Sequence, residues 1–149
     1  CAFGGKLRSE ETEKHISYEK RFKNTDFEIK SVLDAVSHST CCMAIDIHAK
    51  AIVVSSLSGM TVRLVSRFRP PVDILGLTTD ERSWRRLALS WGVTPMMCDR
   101  FESTDVLFYR AKQLSREAFA LQKGDLMIVT GGMTNGRSGN TNLIKVETI

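Results

Sequence analysis

The sequence predicts an α/β domain, a three-layer α/β/α sandwich built on a largely parallel sheet. Three observations lead there. Short β-branched or apolar runs alternate with helical patterns of about ten to eighteen residues along most of the chain. Turn and cap signals fall between them. The last two apolar runs are joined by a loop alone, which favours an antiparallel final strand.

From Asp26 the residues Ile29, Val32, Leu33, Val36, Thr40, Met43, Ala44 and Ile47 recur at i, i+3, i+4, i+7 spacing, predicting an amphipathic helix through about Ile47. Ala51 to Val54 reads as a buried strand. Ser55 to Gly59 is a turn, and Thr61 to Phe68 a helix that Pro70 and Pro71 stop. Asp73 to Leu77 is a second strand, and Thr79 or Asp80 caps a helix marked by Trp84, Leu87, Ala88 and Trp91 that ends at Gly92. Trp84 and Trp91, seven apart, would share one face for packing or an interface. Val93 to Met97 is a third strand, placed near an edge by Pro95. Ser103 to Asp105 caps a longer helix to about Leu121, using Val106, Ala111, Leu114, Ala118 and Leu121. Leu126 to Val129 is a fourth strand, the glycine-rich stretch Gly131 to Asn140 a loop, and Leu143 to Val146 a last strand.

Residues 1–27 differ in character: highly charged, with Ile16, Tyr18 and Phe22 as apolar anchors, they predict a helical arm or linker ahead of a domain at 28–149. The chain starts with Cys rather than Met, so we expect a piece of a longer polypeptide.

Composition bounds the chemistry. With 149 residues, 42% hydrophobic and 26% charged, one folded domain is expected. No run reaches a membrane span and no signal peptide opens the chain, so a cytoplasmic protein without a membrane partner is expected. The four cysteines, Cys1, Cys41, Cys42 and Cys98, have no CxxC spacing and are expected as reduced thiols. His15, His38 and His48 are too scattered for a metal site, and His38 is expected as a structural histidine. The net charge of +4 is spread through helices without interleaved aromatics, which argues against a nucleic-acid partner. Asp46 and Asp80 lack a partner carboxylate, and no Ser, Cys or Thr has a His and carboxylate at a recognisable spacing. No catalytic residue is expected.

Two loops have the composition of an anion site. Ser55-Ser56-Leu57-Ser58-Gly59-Met60-Thr61 leads straight into a helix, where hydroxyls, amides and the helix dipole suit a phosphate. Gly131 to Thr141 contributes glycines that permit close approach and Arg137 that pairs with an anion. Either loop also reads as an ordinary turn and cap. The first matches neither GxGxxG nor GxxxxGK[ST], which disfavours a dinucleotide or P-loop site.

An ordered set of segments resembles the C-terminal domain of pyruvate kinases. Ala49 to Val54 with Ser58-Gly59-Met60-Thr61-Val62-Arg63 and Val65-Ser66-Arg67-Phe68-Arg69-Pro70 is similar to that domain's strand, SGxTAR and VSxYRP stretch. Arg85-Arg86-Leu87-Ala88-Leu89-Ser90-Trp91-Gly92-Val93, Lys123-Gly124-Asp125-Leu126 and Gly139-Asn140-Thr141-Asn142-Leu143-Ile144-Lys145-Val146 resemble later segments in the same order. Residues 8–27 resemble the last helix of the preceding barrel domain. The resemblance implies a five-stranded sheet of order 3-2-1-4-5 with strand 5 antiparallel. It also implies an allosteric role in glycolysis: binding a sugar phosphate, nucleotide or inorganic anion, and contacting another copy in a homo-oligomer. Ser56, Ser58, Gly59, Met60 and Thr61 would form the effector phosphate cradle, and Gly132 to Gly139, with Arg137 and Ser138, the lid loop. Phosphoryl transfer from phosphoenolpyruvate to ADP, with Mg2+ and K+, would belong to the barrel, leaving no cofactor in this domain. The chain departs from fructose-bisphosphate-activated members at Leu57, Met60 and near Leu107, where those members supply cations or Gln. A purely structural, subunit-assembling domain with a vestigial site is the alternative.

Overall fold

Local capping chemistry sets where the helices begin. In the computed structural model, which describes residues 20–132 and 141–149, three helices start at a side-chain oxygen that accepts a backbone N–H. Ser31 caps α1 (Val32–Asp46), Asp80 caps α3 (Glu81–Leu87) and Ser103 caps α4 (Thr104–Phe119). Helix α2 (Met60–Arg67) begins at Gly59 without a side-chain cap, and residues 20–23 are also helical. The strands are β1 (Ala51–Ser55), β2 (Asp73–Thr78), β3 (Val93–Met97), β4 (Leu126–Gly132) and β5 (Thr141–Thr148).

The sheet runs β3-β2-β1-β4-β5, as expected, with β5 antiparallel to β4 and all other neighbours parallel. Central β1 pairs on both sides, Val53 with Leu75 of β2 and with Val129 of β4. A strand flanked in this way needs apolar side chains on both faces. Ala51 to Val54 are accordingly fully buried. Ile52, Val54, Ile74 and Ile128 point into one core with Ala44, Ile45, Val62, Val65 and Leu87, from α1, α2 and α3. Ala51, Val53, Leu75, Leu77, Met127 and Val129 point to the other, under Leu107 and Ala111 of α4. Helices thus cover both faces, completing the three layers.

The differences from the sequence expectations lie at helix ends. The first helix begins at Val32 rather than near Asp26, because Ser31 caps it in extended backbone; Ile29 and Val32 are exposed and lie off the core stripe. The third helix stops at Leu87, so Trp84 and Trp91 do not share a helix face. Trp84 instead donates its Nε1–H to the Pro95 carbonyl (3.3 Å) on the edge strand, and Trp91 lies under the Arg69 guanidinium. In α4 the inward face is Leu107, Ala111 and Ser115, while Val106 is exposed. At the front of the domain Phe22 is buried and stacks on His38 (centroids 5.4 Å), with Phe27 and Phe68 completing the cluster. His38 is thereby a packing residue, as the sequence implied.

Helix α2 approaches β2 closely enough that Gly76 has no room for a side chain: a Cβ there would sit 2.9 Å from Val62 Cγ1 and 3.3 Å from Val93 Cγ1. Gly76→Ala should therefore destabilise the domain by roughly 1–3 kcal/mol, measured by urea unfolding; an unchanged midpoint would refute the tight contact. The Asp80 cap yields a pH test. Hydrogen bonds from Ser83 hold its carboxyl below the ordinary value of 3.8 in the folded state. A depressed folded value means that its contribution is present above the unfolded value and disappears as pH falls through the folded one. Asp80→Asn should flatten that part of the acid limb below about pH 4, read from thermal midpoints across pH 2–6.

Candidate functional site

In a doubly wound sheet the ligand position is where successive crossovers leave in opposite directions. From β1 the chain moves through α2 to β2 and then β3; from β3 it returns through α4 to β4, on the far side of β1. The switch point therefore lies between β1 and β4 at their carboxyl ends. The segments that leave those two strands are 56–59 and 133–140, the two glycine-bearing loops singled out in the sequence. Residues 133–140, including Arg137, Ser138 and Gly139, lie outside the described residues.

Strands β1 and β4 come unusually close at this end. Gly131 pairs with Ser55, and a Cβ at Gly131 would meet the Ser55 carbonyl and Cβ at 3.3 Å each. Gly132, half-buried, closes β4 and pairs with Thr141 across an irregularity in the ladder. Loop 56–59 is pinned from below. Ser56 donates its N–H to Leu77 O (3.0 Å), and the Thr78 hydroxyl donates to Leu57 O (3.1 Å). Gly59 takes φ +74°, and a Cβ would press on Leu87 Cδ2 at 3.2 Å, so both backbone and space call for glycine.

The N-terminus of α2 opens at this point. Its first-turn amides and the positive end of the helix dipole face the loop without a side-chain cap at Gly59. Ser56 and Ser58 are half-buried beside it, and the Met60 amide makes a long contact (3.4 Å) with Ser58 Oγ. Thr61 is placed differently from its neighbours. Its hydroxyl is buried and bonds the Thr141 hydroxyl at 2.6 Å, across 80 residues of sequence. That bond ties the first turn of α2 to the start of β5. Leu57 and Met60 are exposed at the rim, and Leu107 is buried in the core below Gly131. The arrangement is a loop lined by hydroxyls and backbone amides with an apolar rim.

Thr78 and Thr141 are supporting residues that the sequence did not single out as site residues. A hydroxyl closing the apolar run Asp73 to Thr78 was the available signal for the first. Cys98, whose thiol contacts Thr78 O (3.7 Å), is pushed up to about 11 chiefly by burial and then by Asp99. Burial there favours the neutral thiol over the thiolate. Among the described residues no three His, Cys, Asp or Glu side chains gather to hold a metal ion. No described helix is long and apolar enough to cross a membrane.

The Thr61–Thr141 bond carries an energetic expectation. Removing one hydroxyl leaves its partner buried without that bond, so Thr61→Val or Thr141→Val alone should cost about 1–3 kcal/mol. The double variant should cost less than the sum of the two. Additive losses in chemical denaturation would show that the two hydroxyls do not depend on one another.

Comparison with known proteins agrees with this architecture. Residues 34–147 match the family model described as the pyruvate kinase alpha/beta domain. The chain is 38% identical over 142 residues to the pyruvate kinase of Clostridium acetobutylicum, a match covering 95% of this chain and 30% of that protein. It is 34% identical over 119 residues to that of Staphylococcus epidermidis (80% of this chain, 20% of the relative). With that of Lactobacillus delbrueckii subsp. bulgaricus it shares 33% over 124 residues (83% and 21%). The chain thus spans less than a third of the length of these relatives. It belongs to the pyruvate kinase family, and the part of that family it represents is the α/β domain.

Proposed function

We propose that this domain binds a phosphorylated effector in the cradle at 56–61 and mediates subunit contacts within a pyruvate kinase. The catalysed reaction, phosphoenolpyruvate and ADP to pyruvate and ATP, is assigned to a barrel domain of the same enzyme, which would hold the Mg2+ and K+. The observation that carries the binding half is the uncapped α2 N-terminus at the β1/β4 switch point, flanked by Ser56, Ser58 and the glycine that closes the turn. Backbone amides and hydroxyls there suit the doubly charged oxygens of a phosphate. The family resemblance implies a contribution to effector binding from Gly132, Arg137, Ser138 and Gly139, the last three lying outside the described residues.

The exposed Leu57 and Met60 set the character of the effector. On the 56–61 side of the rim a second phosphate would meet the apolar side chains of Leu57 and Met60 rather than a cation. This supports a monophosphate, a nucleotide or an inorganic anion over a bisphosphate. The same two residues support a second reading, in which the cradle is vestigial and the domain serves assembly alone.

Calorimetric titration separates the two. Ribose 5-phosphate or AMP should bind wild type, and Ser58→Ala should weaken that binding. Met60→Arg should tighten binding of fructose bisphosphate by roughly tenfold or more, the value of one added charge-assisted contact. Absence of heat with all three ligands, alongside an oligomeric mass by light scattering that no ligand changes, would leave the assembly role standing and remove the binding one.

A further inference from the structure

A second concentration of positive charge lies at the other end of α2, away from the cradle. Eight helical residues separate the two ends, about 12 Å along the axis at 1.5 Å per residue. Here Arg21, Arg67 and Arg69 surround a pocket of about 60 Å3 whose floor is formed by Phe22, Phe27 and Phe68. One ordered water needs roughly 10–15 Å3 of such space, so the pocket has room for a group of a few heavy atoms.

The floor is held in place before any ligand arrives. Phe27 meets Phe68 edge-on (5.0 Å) and Phe22 at 5.2 Å, and Phe22 and Phe68 are buried. Two of the arginines are held by stacking. The Arg67 guanidinium lies 5.2 Å from the Phe68 centroid and that of Arg69 lies 5.0 Å from the Trp91 centroid. Stacking engages the face of a guanidinium and leaves its in-plane N–H donors for a planar or tetrahedral oxyanion. Arg69 adopts φ +54°, a left-handed conformation uncommon outside glycine, directly before Pro70. That backbone departure sets the side chain on Trp91 at the pocket rim. Asp34 lies 3.6 Å from Arg67 and offsets one charge. Among the described residues that line the pocket, three are cationic and none is a carboxylate.

We infer that this pocket is a second anion site, which takes one phosphate-sized oxyanion, free or carried by a small metabolite. The inference is independent of the cradle and of its proposed effector. Its chemistry differs too: guanidinium donors over an aromatic floor, in place of backbone amides and hydroxyls.

The stack of Arg69 on Trp91 supplies a local reporter. In the Trp84→Phe background, Trp91 is the chain's remaining tryptophan, and inorganic phosphate should change its fluorescence saturably at constant ionic strength. Arg21→Gln, an exposed substitution outside the α2 cap, and Arg67→Gln should each weaken that response roughly tenfold or more. Arg21→Lys, which keeps the charge but loses the fork, should fall between. Ser58→Ala in the cradle should leave it unchanged. Glucose 6-phosphate run beside inorganic phosphate distinguishes a metabolite-borne group from the free ion. A response equally strong in both Gln variants, one matched by chloride, or one abolished by Ser58→Ala would overturn the site. Thermal midpoints within a degree or two of the parent confirm that each variant is folded.

Discussion

Leu87 occupies the space that two glycines leave open. A Cβ at Gly59 would come within 3.2 Å of it, and one at Gly76 within 3.4 Å. The side chain, 1% exposed, therefore fixes three things together: the last turn of α3, the middle of β2 and the loop that starts α2. A Cβ at Gly59 would press on Leu87, and one at Gly76 would displace Val62 beside it; close-packed interiors transmit such shifts rather than absorb them. The position of the cradle is thus a product of core packing beneath it. Its own hydrogen bonds, from Thr78 and to Leu77, hold a loop whose place is already set.

This dependence explains which parts of the protein could be read in advance. Strands were legible because β1 and β4 are buried on both faces, and Ala51 to Val54 and Met127 to Val129 had to be apolar. The turn at 56–59 was legible from its serines and glycine between a strand and a helix. Helix limits were less so. Ile29 and Val32 fit the helical period but precede a cap, and periodicity does not detect Ser31 taking extended backbone. Trp91 fits the period of α3, yet the Ser66 hydroxyl donates to its carbonyl (2.7 Å) from α2, a tertiary bond invisible in local sequence. A further tertiary bond that local sequence does not reveal involves Thr61. Its hydroxyl bonds Thr141, 80 residues away.

The two ends of α2 present unlike environments to anions. At the start, charge comes from the backbone, is fractional, and reaches only the first turn. At the end, it comes from guanidiniums on flexible side chains fixed by aromatic rings, and here the helix dipole opposes an anion. An oxyanion at the second position, as proposed, would be held by the arginines against the field of the helix, an interaction that salt screens.

Pro95 and Trp84 bear on assembly in a different way. On the outer side of β3 the proline offers no N–H, and its carbonyl already accepts from the indole. A strand arriving at that border finds neither donor nor acceptor at the middle position. The other border, β5, keeps a proline-free run of eight residues. Growth of a sheet from molecule to molecule requires two open borders per copy. Pro95 and Trp84 thus interrupt the β3 border at its middle, which disfavours continuous strand-to-strand growth on that side.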